Sequence, residues 1–303
     1  MKLNKVAIIQ ARMSSSRLPG KVLQDISGQP MLQHVIERTK RAALVDQVVL
    51  ATTTDPSDDI LEQYCDTHEV PCYRGSLADV LDRYYQAAAQ FQADVVIRLT
   101  ADCPLLDPHL LDLTLLAFLG QSITQHDFGD PQVINSHSEG VYPFDFCANR
   151  LPPPWQRTLP IGLDVEICSF NALARAWKQA DQLYQREHVM PYLYEGVVFP
   201  MDDHSAKAEW YIQQNTTPRG FKVALLNHNP DYGALRWTVD TLADLEFVRQ
   251  VYHNFIGQKI FTWQQVLTLL AAKPELALIN TEVQHKSAFD VDERSPHSKK
   301  CQP

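Results

Sequence analysis

Ala11-Arg12-Met13-Ser14-Ser15-Ser16-Arg17-Leu18-Pro19-Gly20-Lys21 sets three cations and three serines on one short loop near the start of the chain. It follows a short apolar run, Val6-Ala7-Ile8-Ile9, of the kind a strand shows when both of its faces are buried in a parallel sheet. A strand that empties into small residues and three cations is built to receive an anion. The serines leave backbone N–H groups unobstructed, and Gly20 permits a conformation that a Cβ would resist. In α/β folds, ligands sit beyond the carboxyl ends of the strands, where this loop lies. Neither standard phosphate loop is present. Gly20-Lys21 is followed by Val22, the residue five before Gly20 is Ser15, and no G-x-G-x-x-G occurs anywhere.

Working outward, three further strand-like runs, Gln47 to Thr53, Val70 to Tyr73 and Asp94 to Leu99, alternate with helical patterns. Pro30 opens a helix from Met31 to Arg41. Asp55-Pro56-Ser57-Asp58-Asp59 reads as a cap, a proline start and an acidic first turn. Ser76-Leu77-Ala78-Asp79 caps a helix reaching about Gln90, and Asp107-Pro108 opens one towards Leu119. The order predicts a mostly parallel, twisted sheet with helices on both faces. From Gly120 to about Pro160 the pattern gives way to a long loop excursion with one short strand at Phe144 to Cys147. Strands are then expected at Leu163 to Ile167 and Leu235 to Val239. Helices are expected at Phe170 to Ala180, Glu187 to Tyr194, after the Thr241 cap, and at Thr262 to Ala272. The expected division is one domain over 1–256, a helical appendage over 257–286 and a polar, disordered tail over 287–303.

At 303 residues, with 45% hydrophobic and 21% charged residues, the chain has an ordinary globular composition. A net charge of −9, from 27 basic and 36 acidic residues, argues against a nucleic-acid partner, but one local basic loop suffices for a nucleotide. The six cysteines form no C-x-x-C pair and have no histidine at zinc spacing, so reduced thiols are expected. The N-terminal apolar run is too short for a signal peptide, and the stretch Leu110 to Leu119 is too short for a bilayer span. The reading is a cytoplasmic protein with no membrane partner. Met201-Asp202-Asp203-His204 reads as a polar surface loop.

Two aspartates occupy equivalent places. Asp102 follows the strand Asp94 to Leu99, and Asp240 follows Leu235 to Val239. Both carboxylates are expected at the sheet edge that carries the Arg12 to Lys21 loop. Two carboxylates beside a polyphosphate site suit Mg2+, which is usually held by one or two carboxylates together with substrate phosphates.

The pattern A-R-x-x-S-x-R-L-P-G-K resembles the signature of cytidylyltransferases that activate acidic sugars as CMP-sugars. Further blocks follow in order: Arg74-Gly75-Ser76, Asp79 to Tyr85, Asp102-Cys103-Pro104-Leu105, Gly162-Leu163-Asp164-Val165-Glu166, Arg186-Glu187-His188-Val189 and Thr238-Val239-Asp240-Thr241. Together they are similar to the spore-coat-polysaccharide (SpsF) branch of that family, which is related to CMP-KDO synthetases and acylneuraminate cytidylyltransferases. The resemblance implies a GT-A-like nucleotide-diphospho-sugar transferase fold, a three-layer α/β/α sandwich, with CTP and an acidic sugar as reactants and a homodimer. It implies Arg12, Lys21, Asp102 and Asp240 as catalytic residues, with Mg2+ on the two aspartates. Ala11, Arg12, Met13, Ser14, Ser15, Arg17 and Lys21 would hold the triphosphate, and Met13 to Ser16 would form a backbone anion nest. Arg74, Ser76 and Asp79 would approach the base. Asn149, Arg157, Asp164, Glu166, Arg186 and His188 would meet the acceptor. Gly120 to Pro143 looks like an insertion and Pro200 to Asn229 like an expansion, both on the acceptor side.

Two alternatives stand beside this reading. One is a glycosyltransferase, or a transferase using another triphosphate, on the same fold. Against the glycosyltransferase, Asp102-Cys103-Pro104 lacks the second Asp of a D-x-D motif. The other is a non-catalytic nucleotide-sugar-binding protein, which the retention of Lys21 and both aspartates disfavours.

Overall fold

The computed structural model describes residues 2–121, 123, 142–155, 157–200, 208–258 and 260–283. The first half builds the expected alternation. Strand β1 (Lys5–Gln10) precedes a small hairpin of β2 (Asp25–Ile26) and β3 (Gln29–Pro30), then helix α1 (Met31–Lys40). There follow β4 (Gln47–Thr53), α2 (Asp59–Thr67), β5 (Cys72–Gly75), α3 (Val80–Gln90), β6 (Val95–Thr100) and α4 (Pro108–Phe118). The caps act as their chemistry dictates. The Asp79 carboxylate accepts from the Asp82 N–H, and that of Asp107 accepts from the His109 and Leu110 N–H groups.

The second half holds β7 (Phe146–Ala148), β8 (Glu166–Ser169), α5 (Phe170–Gln179), α6 (Leu183–His188) and α7 (Pro191–Tyr194). It continues with β9 (Trp210–Thr216), β10 (Lys222–His228), α8 (Leu242–Asn254), α9 (Trp263–Ala272) and α10 (Pro274–Ala277). The eight-stranded sheet runs β5-β4-β1-β6-β8-β7-β10-β9. Strands β5, β4, β1 and β6 are parallel, as are β7 and β10, while β8 and β9 are antiparallel to their neighbours.

The alternation of β1 explains the three layers. Ala7 and Ile9 pack with α1, α4, α8 and α9 on one face, while Val6 and Ile8 pack with α3, α5 and α7 on the other. All four side chains are fully buried. Trp263, Val266 and Leu270 of α9 join the first of these cores.

Three expectations need correction. Leu235 to Val239 is not a strand: it makes one isolated bridge, Arg236 to Ile161, beyond the end of the sheet. Strand β8 pairs with β6 instead, and the segment bonds to Ile161 and, past the end of β6, to the Asp102 carbonyl. Glu187 to Tyr194 is not one helix: Val189 takes a positive φ of 72°, and Pro191, which lacks an N–H, restarts the chain as α7. The alternating run expected at Leu163 to Ile167 begins its pairing only at Glu166. Strand β9 escaped the pattern because Gln213-Gln214-Asn215 is polar and half exposed at the sheet edge. Much of the expected insertion, residues 124–141, lies outside the described residues, as do Met201 to His204 and the tail over 287–303.

One close approach pins the Leu235 to Val239 segment. Gly162 has φ 103°, and a Cβ there would lie 2.5 Å from the Thr238 nitrogen and 2.6 Å from the Trp237 carbonyl carbon. Gly162→Ala is expected to lower stability by more than about 2 kcal/mol, through backbone strain and steric overlap together. Urea unfolding of the two proteins measures it; an equal midpoint and slope would refute the account.

Candidate active site

The sheet reverses its winding between β1 and β6, and a cleft of about 920 Å³ opens beyond their carboxyl ends. The loop after β1 forms one wall. Asp58, wholly buried, anchors that loop by accepting the Met13 N–H at 2.7 Å and the Thr53 hydroxyl. Gly20, at φ 71°, donates its N–H to the Met13 carbonyl at 2.8 Å and closes the turn. The chain is thereby folded back so that Lys21, in a short 3-10 turn over Lys21–Leu23, points under the loop.

Lys21 is only 8% exposed, and its ammonium makes three contacts. It donates to Asp102 Oδ2 at 2.7 Å, to Asp240 Oδ1 at 2.9 Å and to the Val239 carbonyl at 2.8 Å. Asp102 sits just past β6, and its own carbonyl accepts the Val239 N–H at 2.8 Å, which ties the Leu235 to Val239 segment to the end of that strand. Arg17 pairs with Asp240 Oδ2 at 2.7 Å, and Arg236 reaches the same oxygen at 2.8 Å. Burial alone would raise the Asp240 carboxyl. The charge and hydrogen bond of Lys21, then Arg17 and Arg236, outweigh it and hold the group at about 2. Burial would likewise lower Lys21, and the two aspartates reverse the direction and raise it.

The opposite wall comes from β8 and the loops that precede it. Because β8 runs antiparallel to β6, Glu166 lies opposite Arg98 and pairs with it, and Asp164 projects at the same end. Arg150 reaches Asp164 at 3.2 Å. Arg157 lines the cleft with a buried Nε that has no hydrogen-bond partner among the described residues, while Arg236 and Arg150 are close enough to act on its charge. Burial, and then the like charge of Arg150, lowers its guanidinium to about 10. His188 and Glu187 of α6, Trp155 and Tyr194 complete this side.

The structure therefore gathers Ala11, Arg12, Ser15, Arg17, Lys21, Asp102 and Asp240 with Arg157, Asp164, Glu166 and His188 around one cleft. Other expected site residues are engaged elsewhere and do not line it. Arg74 is held by Asp59, Glu62 and the Thr53 and Asp55 carbonyls. Ser76 accepts the Asp79 N–H, and the Asp79 carboxylate caps α3 and pairs with Arg186. Arg186 also donates to the Trp177 carbonyl. Asn149, 1% exposed, bridges the Leu163 carbonyl and the Val165 N–H. In the expected anion nest, the Met13 N–H is bonded to Asp58 and the Ser15 N–H to the Met13 carbonyl. Met13 and Ser14 lie in the loop but outside the cleft lining.

The sequence reading missed Gln10, Arg98, Thr100, Arg150, Trp155, Glu187 and Tyr194. Arg98 and Thr100 sit inside the β6 pattern, where alternation alone would have turned them to one face. Nothing local marks Arg150 or Trp155.

Residues 6–222, more than two thirds of the chain, match the cytidylyltransferase family. The chain belongs to that family. It is a nucleotidyltransferase. An uncharacterized protein of Methanocaldococcus jannaschii is 30% identical over 95% of this chain and 99% of its own. The spore coat polysaccharide biosynthesis protein SpsF of Bacillus subtilis is 29% identical, covering 89% of this chain and 95% of its own. A cytidylyltransferase structure from Leptospira borgpetersenii superposes with a TM-score of 0.72 at 27% identity, over 94% of this chain and all of that one. The cytidylyltransferase match ends before Arg236 to Asp244, so one of the two carboxylates that hold Lys21 comes from the part of the chain that follows it.

The depressed Asp240 carboxyl carries a sign. Its stabilising effect is complete above the ordinary carboxylate value near 4 and is lost as the pH falls towards about 2. The stability difference between the wild type and Asp240→Asn, measured by urea unfolding without ligand, is therefore expected to shrink by on the order of 2 kcal/mol between pH 5 and pH 2. A difference that does not change with pH would show that Asp240 is not held down in the folded state.

Proposed function

We propose that this cytidylyltransferase transfers CMP from CTP to a hydroxyl of an acidic sugar, releasing pyrophosphate and supplying a CMP-sugar for surface polysaccharide or glycan synthesis. The observation that carries the reading is the convergence of Lys21, Asp102 and Asp240 on one point of a cleft walled by arginines. The acceptor oxygen attacks the α-phosphorus in line, the bond to the β-phosphate bridge breaks, pyrophosphate leaves with the bonding pair, and the hydroxyl proton passes to water. Such a reaction needs positioning and charge neutralisation more than covalent help from the protein.

The two carboxylates suit a divalent cation. They already converge on a cation within 3 Å in the form of the Lys21 ammonium, and they offer oxygen donors of the kind Mg2+ prefers. Among the described residues no cluster of three or more potential ligands forms, which fits an ion that takes its remaining ligands from phosphate and water. When bound, Mg2+ would screen the phosphates and lower the pKa of the acceptor hydroxyl. Lys21 would help neutralise the triphosphate. Arg12 and Arg17 would neutralise the departing pyrophosphate. Arg157, whose buried Nε has no partner among the described residues, would take the acceptor's carboxylate as a fork, with Arg150 beside it. Asp164 and Glu166 would accept from sugar hydroxyls.

Calorimetric titration with CTP, ATP, GTP and UTP, with and without Mg2+, tests the donor. CTP alone is expected to bind, and more tightly with Mg2+. Pyrophosphate release over a panel of acidic sugars then tests the acceptor. Binding of another triphosphate, or of a finished nucleotide sugar in its place, would overturn the reading. Asp102→Asn and Asp240→Asn should each lower kcat by at least about a hundredfold. Arg157→Gln should raise the acceptor KM about ten- to a hundredfold while leaving CTP binding unchanged. Wild-type kinetics in any of the three variants would remove that residue's assignment.

A further inference from the structure

Asp240 is held from behind by a chain of buried groups that reaches the last described helix. Arg236, 8% exposed, donates its Nε to Asp244 Oδ1 at 2.8 Å and its Nη2 to both Asp244 Oδ2 at 3.1 Å and Asp240 Oδ2 at 2.8 Å. Asp244 is wholly buried, and a buried carboxylate must have its lone pairs satisfied. Besides Arg236 it accepts the Asp240 N–H at 3.0 Å, the Thr241 N–H at 2.9 Å, the Thr241 hydroxyl at 3.0 Å and Asn280 Nδ2 at 2.9 Å. The same Asn280 nitrogen donates to the Arg236 carbonyl at 3.0 Å.

This is more than a helix cap. A cap needs only the Thr241–Asp244 exchange at the start of α8, which is present. The additional contacts grip Asp240 at two points, its backbone N–H through Asp244 and its Oδ2 through Arg236. With both held, the remaining oxygen, Oδ1, is left facing the Lys21 ammonium. Asn280, 5% exposed, holds the opposite side of both Asp244 and Arg236, so the grip closes only when the segment after α10 is in place.

We infer that Asn280, Asp244 and Arg236 are positioning residues that aim the Asp240 carboxylate at the cation position of the cleft. Groups behind a metal-binding carboxylate fix its rotamer, and their loss typically weakens metal binding ten- to a hundredfold. The inference rests on the proposed role of Asp240 in holding a divalent cation with CTP. It adds that a buried asparagine more than 50 residues beyond the family match governs that role.

The test measures CTP affinity by calorimetry in EDTA and again with Mn2+; the ratio is the metal enhancement. Asn280→Ala is expected to cut that enhancement roughly ten- to a hundredfold and to leave the EDTA value within about twofold of the wild type. In an Asp240→Asn background the same substitution should have no further effect, because its action runs through Asp240; a general loosening of the protein would persist there. Thr281→Ala, at an exposed neighbour whose hydroxyl donates to the Leu278 carbonyl, should keep the wild-type ratio. Should Asn280→Ala fail to fold, Arg236→Lys carries the test, since lysine keeps the charge and stem but not the fork, and the same fall is expected. A folded variant with wild-type enhancement, or an equal fall in the Asp240→Asn background, overturns the inference alone. No enhancement in the wild type overturns the cation reading and the inference with it.

Discussion

One ammonium group between two carboxylates ties the site together. Lys21 is nearly buried, and such a charge is tolerable only with opposite charges and hydrogen bonds around it. Asp102, Asp240 and the Val239 carbonyl supply them from two segments 138 residues apart, which come together only in the folded chain. A residue at this point is therefore answerable to both the loop after β1 and the segment before α8. If either shifted, the lysine would lose partners, and the carboxylates would face each other without a cation between them.

That constraint explains several features that seem unrelated along the chain. Asp58 exists as a wholly buried acid because the loop must be held back over Lys21. Gly162 lacks a side chain because the Leu235 to Val239 segment passes over it at contact distance. The antiparallel insertion of β8 between β6 and β7 brings Asp164 and Glu166 to the same edge as Asp102. The cleft is thus charged on both walls, with Asp102, Asp240, Asp164 and Glu166 each paired with a base. An anionic reactant entering it exchanges partners with groups that are already paired and oriented, which limits the reorganisation that binding requires.

Residues 6–222, which match the family, and the residues after them contribute differently. The first wall, from β1 to Asp102, lies inside the matched residues, whereas Asp240 and everything that braces it lie beyond them. Helix α9 packs into the same core as α1 and α4, and Asn280 follows shortly after it. The C-terminal segments are therefore joined to the sheet core and to the site at once.

The loop from Ala11 to Lys21, the parallel strands around it and Asp102 were legible from the sequence, because each is a local pattern, whereas Asp240 was placed there by way of a strand that does not form. An apolar run buried on both faces, a glycine at a tight turn and an acid just past a strand all announce themselves within a few residues. What the tertiary structure decided is which polar side chains meet. Arg74, Asp79, Asn149 and Arg186 were expected at the ligand from the family resemblance, yet each is engaged by protein partners. Arg98, Arg150 and Asn280 carry no local mark, yet they line the cleft or brace it. Hydrogen bonds and ion pairs form between groups brought within about 3 Å by long-range packing. Composition and periodicity report burial and element type, but not the identity of a partner more than a hundred residues away.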